Sequence, residues 1–239
     1  MLQVLKRFRR PRIAIYSAIF GGYDDPKPAL RQSVPTDFFL FSESGFLDPK
    51  GWLIDTSVAV DRSAHPRMQA KWFRMHPHVL FPNGRRNGRR YDYTIWIDGS
   101  LAIQSPDFAR DMASLPGKHG LAIFGHPWRD CIYEEAIASV AMPKKYSGLP
   151  IMDQVESYRA QGYPAHNGLM ATGILVRDTA DRGLPAIDEA WWAENERWTY
   201  QDQLSLPFVL WRAGRWFTTI PGDIFHSPLV SYVHHHRND

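Results

Sequence analysis

The stretch Tyr91–Ser105, YDYTIWIDGSLAIQS, limits the folds open to this chain of 239 residues more than any other. Its first half alternates aromatic and β-branched residues, the pattern of a strand buried in a sheet. The strand runs straight into Asp98-Gly99-Ser100, and a second apolar pair follows. A carboxylate where a buried strand ends is costly to desolvate unless it meets a cation or strong donors. In open α/β sheets the carboxyl ends of strands are where ligands bind. Asp98 is therefore expected to hold a metal or a ligand. A tight Asp-Gly turn is the other reading that the local residues permit.

With 44% hydrophobic and 13% aromatic residues, the chain can build a real core. Its length fits one large domain or two small ones, and no stretch reads as a linker. No apolar run approaches the ~20 residues that span a bilayer. The opening MLQVLKRFRRPR is basic but has no apolar segment after it, so it does not read as a signal peptide. The single cysteine, Cys131, excludes an internal disulfide and a CxxC metal site, and it fits a reducing cytoplasm. The net charge is only +3, yet cations cluster at Lys6, Arg7, Arg9, Arg10 and Arg12, and again at Arg85, Arg86, Arg89 and Arg90 within NGRRNGRR. Such patches suit nucleic acid, anionic lipid or phosphate-bearing ligands. A solvated tail and a solvated loop are the plainer readings of each.

Arg12–Asp24, RIAIYSAIFGGYD, is a short buried strand that ends in small residues and Gly-Gly, as many nucleotide-binding sheets begin. Neither GxGxxG nor GxxxxGK[ST] occurs, so dinucleotide and P-loop sites have no support. Asp37–Ser42 and Trp52–Ser57 are further strands, spaced for parallel α/β winding. Ser63–Leu80 reads as a helix, with Ser63 as cap, Pro66 in its first turn and Pro77 as its stop. Arg67, Lys71 and Arg74 recur at i, i+4 and i+7 and share one face of it, placed to lie beside Asp98 and receive a diphosphate. An ordinary solvated face is the alternative.

Helices are expected over 106–115, from Asp130 onward with Glu134 and Glu135 near the N-terminus, over 152–161 and over 187–198. Strands are expected over 121–126, 174–176 and 216–220. In His166–Asp178, HNGLMATGILVRD, the residues Asn167, Gly168, Ala171, Thr172 and Gly173 lead into a buried strand. Small residues let a ligand approach the backbone, and Asn and Thr read sugar hydroxyls by hydrogen bonding. A loop of turn-forming residues is the alternative. Asp202-Gln203 opens an apolar run, where an Asp is most often a cap.

The segments IYSAIFGGYDDP (15–26), DFFLFS (37–42), RMQAKWFRMHPHVLFP (67–82), YDYTIWIDGSLAI (91–103), FGHPWRDCIYEEA (124–136), HNGLMATGILVRD (166–178) and DQLSLPFVL (202–210) occur in this order. Together they resemble a glycosyltransferase of the GT-A fold. More narrowly, they are similar to the glycosyltransferase-like family related to plant mucilage and turgor-regulation hexosyltransferases and to bacterial polysaccharide enzymes. The resemblance implies a single α/β, Rossmann-like GT-A domain over 13–239, with a mixed, mostly parallel central sheet flanked by helices, after a basic segment at 1–12. It implies a nucleotide-sugar donor held by Ala18, Phe20, Tyr23, Arg67, Lys71, Arg74, Asp98, Asn167, Gly168, Thr172, Gly173 and Gln203.

In GT-A enzymes an Asp-x-Asp motif binds a divalent cation that neutralises the donor diphosphate. Here Asp98-Gly99-Ser100 lacks the second carboxylate. A Mn²⁺ or Mg²⁺ ion would rest on Asp98, Ser100, the diphosphate, water and a late histidine, as in the similar family 8 enzymes. His226, His234, His235 and His236 are the candidates. Asp202 matches the Asp-Gln pair of family 8 enzymes and takes the catalytic role, with Glu134 and Glu135 in reserve.

The implied activity is transfer of a hexose from a nucleoside-diphosphate sugar to a hydroxyl of a glycan or lipid-linked acceptor in surface polysaccharide synthesis. Family 8 analogy makes it retaining. A cytoplasmic location, contact with the inner membrane face through residues 1–12 and no nucleic-acid partner are expected. A non-catalytic module that binds polyanions or membrane is the competing reading. A hydrolase has neither a nucleophile elbow nor an HExxH motif to support it.

Overall fold

The first strand, β1 (Ile13–Ile19, IAIYSAI), is buried at every residue. A strand with no polar face has to be covered on both sides. The computed structural model describes residues 10–61 and 64–233. After β1 the strands are β2 (Thr36–Ser42), β3 (Leu53–Asp55), β4 (Arg85–Arg86), β5 (Arg89–Arg90), β6 (Tyr93–Ile97), β7 (Leu101–Ile103), β8 (Leu121–Gly125), β9 (Met170–Asp178), β10 (Thr218–Ile220) and β11 (Val230–Tyr232). The helices are α1 (Pro66–Met75), α2 (Pro77–Leu80), α3 (Phe108–Ala113), α4 (Ile132–Val140), α5 (Pro143–Tyr146), α6 (Ile151–Ala160), α7 (Leu184–Arg197) and α8 (Asp202–Arg212).

Seven strands form the central sheet in the order β3-β2-β1-β6-β9-β8-β10. Only β9 runs against its neighbours, β6 and β8; the other pairs are parallel. This is the mixed, mostly parallel GT-A-like sheet that the segment order implies. Alternate residues of β1 go to opposite faces. Ala14, Tyr16 and Ala18 join a core built with α1, α4, α6, α7 and α8. Ile13, Ile15 and Ile19 join a second core under α3. Helices thus cover both faces and leave the carboxyl ends of β1, β6 and β8 on one rim.

Three local features differ from expectation. The helix expected over 63–80 stops before Pro77 as read, at His76 (φ −121°, ψ 44°), because proline disfavours helical geometry in the residue before it; residues 77–80 form a separate helix, α2, and not its continuation. The cap of α1 is the His65 ring, which accepts the Arg67 amide at 3.1 Å; Ser63 lies outside the described residues. NGRRNGRR is a hairpin of β4 and β5 rather than a loop, turned at Asn87 and Gly88 with φ of 50° and 74°, the mark of a primed turn. Arg86 points inward to an ion pair with Asp55 and lies 4.9 Å over the Phe41 ring. Arg89 pairs with Asp37 at 2.7 Å. Part of this basic cluster is therefore matched within the chain.

Beyond Asp98, β7 pairs with β11 in an antiparallel ribbon. The Val233 amide donates to the Ser100 carbonyl at 2.7 Å, which brings the late chain back to the Asp98 turn. No helix among the described residues is long and apolar enough to cross a membrane.

Candidate active site

Asp98 leaves β6 at its carboxyl end, and its amide donates to the Gly173 carbonyl at 2.9 Å. There β9 is bulged: Ile123 of β8 faces Leu175, but the next residue, Phe124, faces Ala171. Thr172, Gly173 and Ile174 are the extra residues, and the bulge turns Thr172 and Gly173 toward the Asp98 turn. A Cβ on Gly173 would stand 2.9 Å from Ile224 Cδ1 and 3.5 Å from Asp98 Oδ2. A side chain at Gly173 would therefore push Ile224 aside, whereas the Asp98 carboxylate is at ordinary contact distance.

The α1 face of Arg67, Lys71 and Arg74 does lie beside Asp98. Arg74 is buried and spans two carboxylates, with ion pairs from Nη2 to Asp98 and from Nη1 to Asp202. Nη1 also donates to Thr172 Oγ1 at 3.0 Å, and the guanidinium sits 5.1 Å over the Trp96 ring. Trp96 donates from Nε1 to Asp98 Oδ1 at 2.9 Å. Behind this layer the Arg74 carbonyl accepts from Arg177 Nη2 at 3.2 Å, and Arg177 is itself held by Asp188 at 2.7 Å.

Asp202 is the first residue of α8, where the helix dipole favours an anion, and Lys71 reaches its Oδ1 at 2.7 Å. Burial alone would raise the Asp202 carboxyl, but Arg74 and Lys71 outweigh it and hold it at about 2. Burial pushes the Lys71 ammonium down to about 8 in spite of Asp202. For Arg74, burial is outweighed by Asp202 and Asp98, so its charge is reinforced.

These groups line a cleft of about 760 Å³, a size suited to a small organic ligand. Its lining carries the cations Arg67, Lys71, Arg74 and Lys145 and the carboxylates Asp24, Asp98 and Asp202, a net of +1. Lys145 is exposed as a residue, yet desolvation of its ammonium against the cleft wall and the neighbouring Arg67 push its pKa down. Arg67 donates to the Tyr23 hydroxyl, and Tyr200 stacks on His65 at 5.0 Å.

Of the residues singled out in the sequence, Ala18, Phe20, Tyr23, Arg67, Lys71, Arg74, Asp98, Ser100, Thr172, Gly173, Asp202 and Gln203 line this cleft. Asn167, Gly168, Glu134, Glu135 and His226 are not in its wall. Glu135 is buried behind it, held by Arg129 at 2.6 Å and by Gln201 at 2.8 Å. Glu134 lies outside, in an exposed group with Asp130 and His166. His166 Nδ1 bonds Asp130 at 2.6 Å, and that hydrogen bond raises the imidazole pKa. His226 is exposed and bonds Asp223 at 2.7 Å. His235, with His234 and His236, falls outside the described residues.

Several lining residues have no role in the sequence reading. Trp96 carries a signal there, since it shares a strand face with Asp98 two residues on. Lys145, Tyr146, Tyr200, Gln201, Ile224, Phe225 and Tyr232 carry none, because a short helix, loops and the short strand β11 deliver them.

Asp98 Oδ1 is taken by Arg74 and Trp96, while Oδ2 accepts no hydrogen bond from a described residue. Mg²⁺ and Mn²⁺ are commonly held by one or two carboxylates together with water and substrate phosphate. Asp98 and Ser100 both line the cleft, and such oxygen donors fit an ion of that kind.

The sequence profile of the TOD1/MUCI70, glycosyltransferase-like domain matches residues 58–226. The matched span holds α1, the Asp98 turn, the β9 bulge and Asp202. No curated protein matches the chain. A match that covers more than half of the residues and encloses the charged floor of the cleft shows that the chain belongs to the TOD1/MUCI70 glycosyltransferase-like family.

Proposed function

We propose that this protein transfers a hexose from a nucleoside-diphosphate sugar to a hydroxyl of a glycan or lipid-linked acceptor. The family supplies the reaction class. The observation that carries the reading is Arg74, buried between Asp98 and Asp202 at the floor of a cleft of donor size. A departing diphosphate gains negative charge, and Arg67, Lys71, Arg74 and Lys145 are the fixed cations that face it. The donor lies across the end of β1 at Ala18, Phe20 and Tyr23. Asp98 and Ser100 would hold a Mg²⁺ or Mn²⁺ ion, which when bound adds charge neutralisation at the diphosphate.

Asp202, held at about 2, is too weak a base to take a proton at neutral pH. Its role is to stabilise positive charge that develops on the sugar and to orient its hydroxyls. Each carboxylate that lines the cleft already faces a cation, including Asp24, which pairs with Lys27 at 2.6 Å. The acceptor proton then passes to the diphosphate oxygen as the new glycosidic bond forms and the old C–O bond breaks. This arrangement supports retention of anomeric configuration. Surface polysaccharide synthesis at the cytoplasmic membrane face, with residues 1–12 as the contact, belongs to the same proposal.

A ligand at 100 times its Kd that binds only the folded state adds about 2.7 kcal/mol. A thermal-shift series of nucleoside diphosphates and nucleotide sugars, with and without Mn²⁺, is expected to raise Tm by about 5–10 °C for at least one nucleotide. A flat response across the series removes the donor from the cleft. A polyanion-binding module would respond to no nucleotide and would lose its ligand steeply with salt.

Lys71 adds a proton-linked expectation. With a pKa of about 8 it is partly neutral in mildly alkaline solution, and a bound diphosphate favours its charged form. Nucleoside diphosphate binding at roughly pH 8.5 is therefore expected to take up part of a proton. Calorimetry in buffers of different ionisation enthalpy reads this uptake, and Lys71→Met removes it. Equal heats in all buffers for the unmodified chain would place Lys71 away from the diphosphate.

A further inference from the structure

Trp128 leaves 66% of its surface exposed, yet the segment that carries it is tied down. The His126 ring accepts the amides of Trp128 and Arg129 on Nδ1 at 3.4 and 3.1 Å. Arg129 is in turn anchored on the buried Glu135. Trp128 lies flat against Phe225, with ring centroids 5.2 Å apart and planes 11° from parallel. Phe225 meets Tyr232 edge-on at 5.9 Å. Asp223 accepts the Phe225 amide at 2.8 Å, which braces the second loop.

Phe225 and Tyr232 also belong to the cleft wall and Trp128 does not, so the three rings run from the cleft out to the surface. A contiguous patch of exposed apolar surface beside a cleft marks a binding site more often than chance. The chemistry narrows the ligand. A nucleobase seeks an enclosed slot, whereas these rings form an open shelf that leads out of the cleft. A pyranose ring carries C–H bonds on one face that pack on an aromatic plane, while its hydroxyls stay in water. Trp128 has one face against Phe225 and is 66% exposed, so its outer face is the plane open to a sugar ring.

We propose that Trp128, Phe225 and Tyr232 form the acceptor subsite, and that its occupant is a neutral glycan, one pyranose ring of which stacks on Trp128 while the chain passes Phe225 and Tyr232 into the cleft. The proposal rests on the transferase reading above for the word acceptor, and on the shelf alone for the glycan. Asp223 accepts the Phe225 amide, which puts a carboxylate at the shelf itself, and a uronic acid polymer meets like charge there.

The test is calorimetry on the full chain without donor, with neutral hexasaccharides of β-glucan, α-mannan and β-galactan and with a galacturonan hexasaccharide as probes. At least one neutral probe is expected to bind. Trp128→Ala is expected to weaken it about tenfold and Trp128→Phe to restore most of the loss. Nucleoside diphosphate affinity, measured on the same samples, is expected to stay within about twofold, because Trp128 is not in the cleft wall. Shelf-dependent glycan binding without any nucleotide binding would support the subsite and remove the transferase reading. Equal glycan affinity in Trp128→Ala, preference for galacturonan, no binding of any neutral probe, or a loss confined to nucleotide would overturn the subsite. Self-association that Trp128→Ala abolishes, with no glycan bound, would also overturn it and make the shelf a contact between copies.

Discussion

Arg74→Met is expected to lower the stability of the folded chain by about 3–5 kcal/mol at neutral pH. Methionine keeps much of the length of the side chain but removes the charge that Asp98 and Asp202 share. Asp202 is buried, so the carboxylate left with Lys71 alone carries an uncompensated part of its desolvation cost. In urea the midpoint should fall with m unchanged, since the fold itself is kept. Adding Asp202→Asn to Arg74→Met should return part of the loss, with a coupling of roughly 0.5–3 kcal/mol.

The pH dependence has a definite sign. In the unmodified chain the Asp202 pKa lies at about 2, below its ordinary value of 3.8. Its contribution is therefore present above the unfolded pKa and is lost as pH falls through the folded one. Without Arg74 the folded pKa rises, so the deficit of the variant is full at neutral pH and narrows on acidification. A variant within about 1 kcal/mol of the parent would show that Arg74 is not enclosed between two charges.

The second large effect concerns chemistry. Asp202→Asn is expected to lower donor turnover by a factor on the order of 10²–10³, the scale of removing one fixed group aimed at transition-state charge. Donor affinity should hold or tighten. Lys71 and Arg74 each lose an internal carboxylate in this variant and are left to interact with the diphosphate. The two constants come from initial rates of nucleotide release and from calorimetry with the nucleoside diphosphate. Equal losses in turnover and affinity would move Asp202 from the reacting sugar to donor binding.

Much of the frame is legible in the residues because it follows from local periodicity. The buried run IAIYSAI has to lie inside a covered sheet, and the alternation before Asp98 has to be a strand. The i, i+4, i+7 spacing puts Arg67, Lys71 and Arg74 on one face of α1 wherever that helix lies. The Asp98 turn and the α1 cations therefore point to an anion site before any coordinate is known.

What lies beyond that reach is set by contacts between distant residues. The antiparallel run of β9 and its bulge depend on which strands flank it, and they alone bring Thr172 and Gly173 to Asp98. Glu134 and Glu135 are neighbours in the chain, yet one turns to solvent and the other to Arg129 and Gln201, because successive helix residues point about 100° apart. The aromatic shelf joins two loops and β11 across some hundred residues, and its rings follow no spacing. Periodicity decides which residues face inward together; only the packing of helices against the sheet decides which of them meet, since charge and stacking act through space and not along the chain.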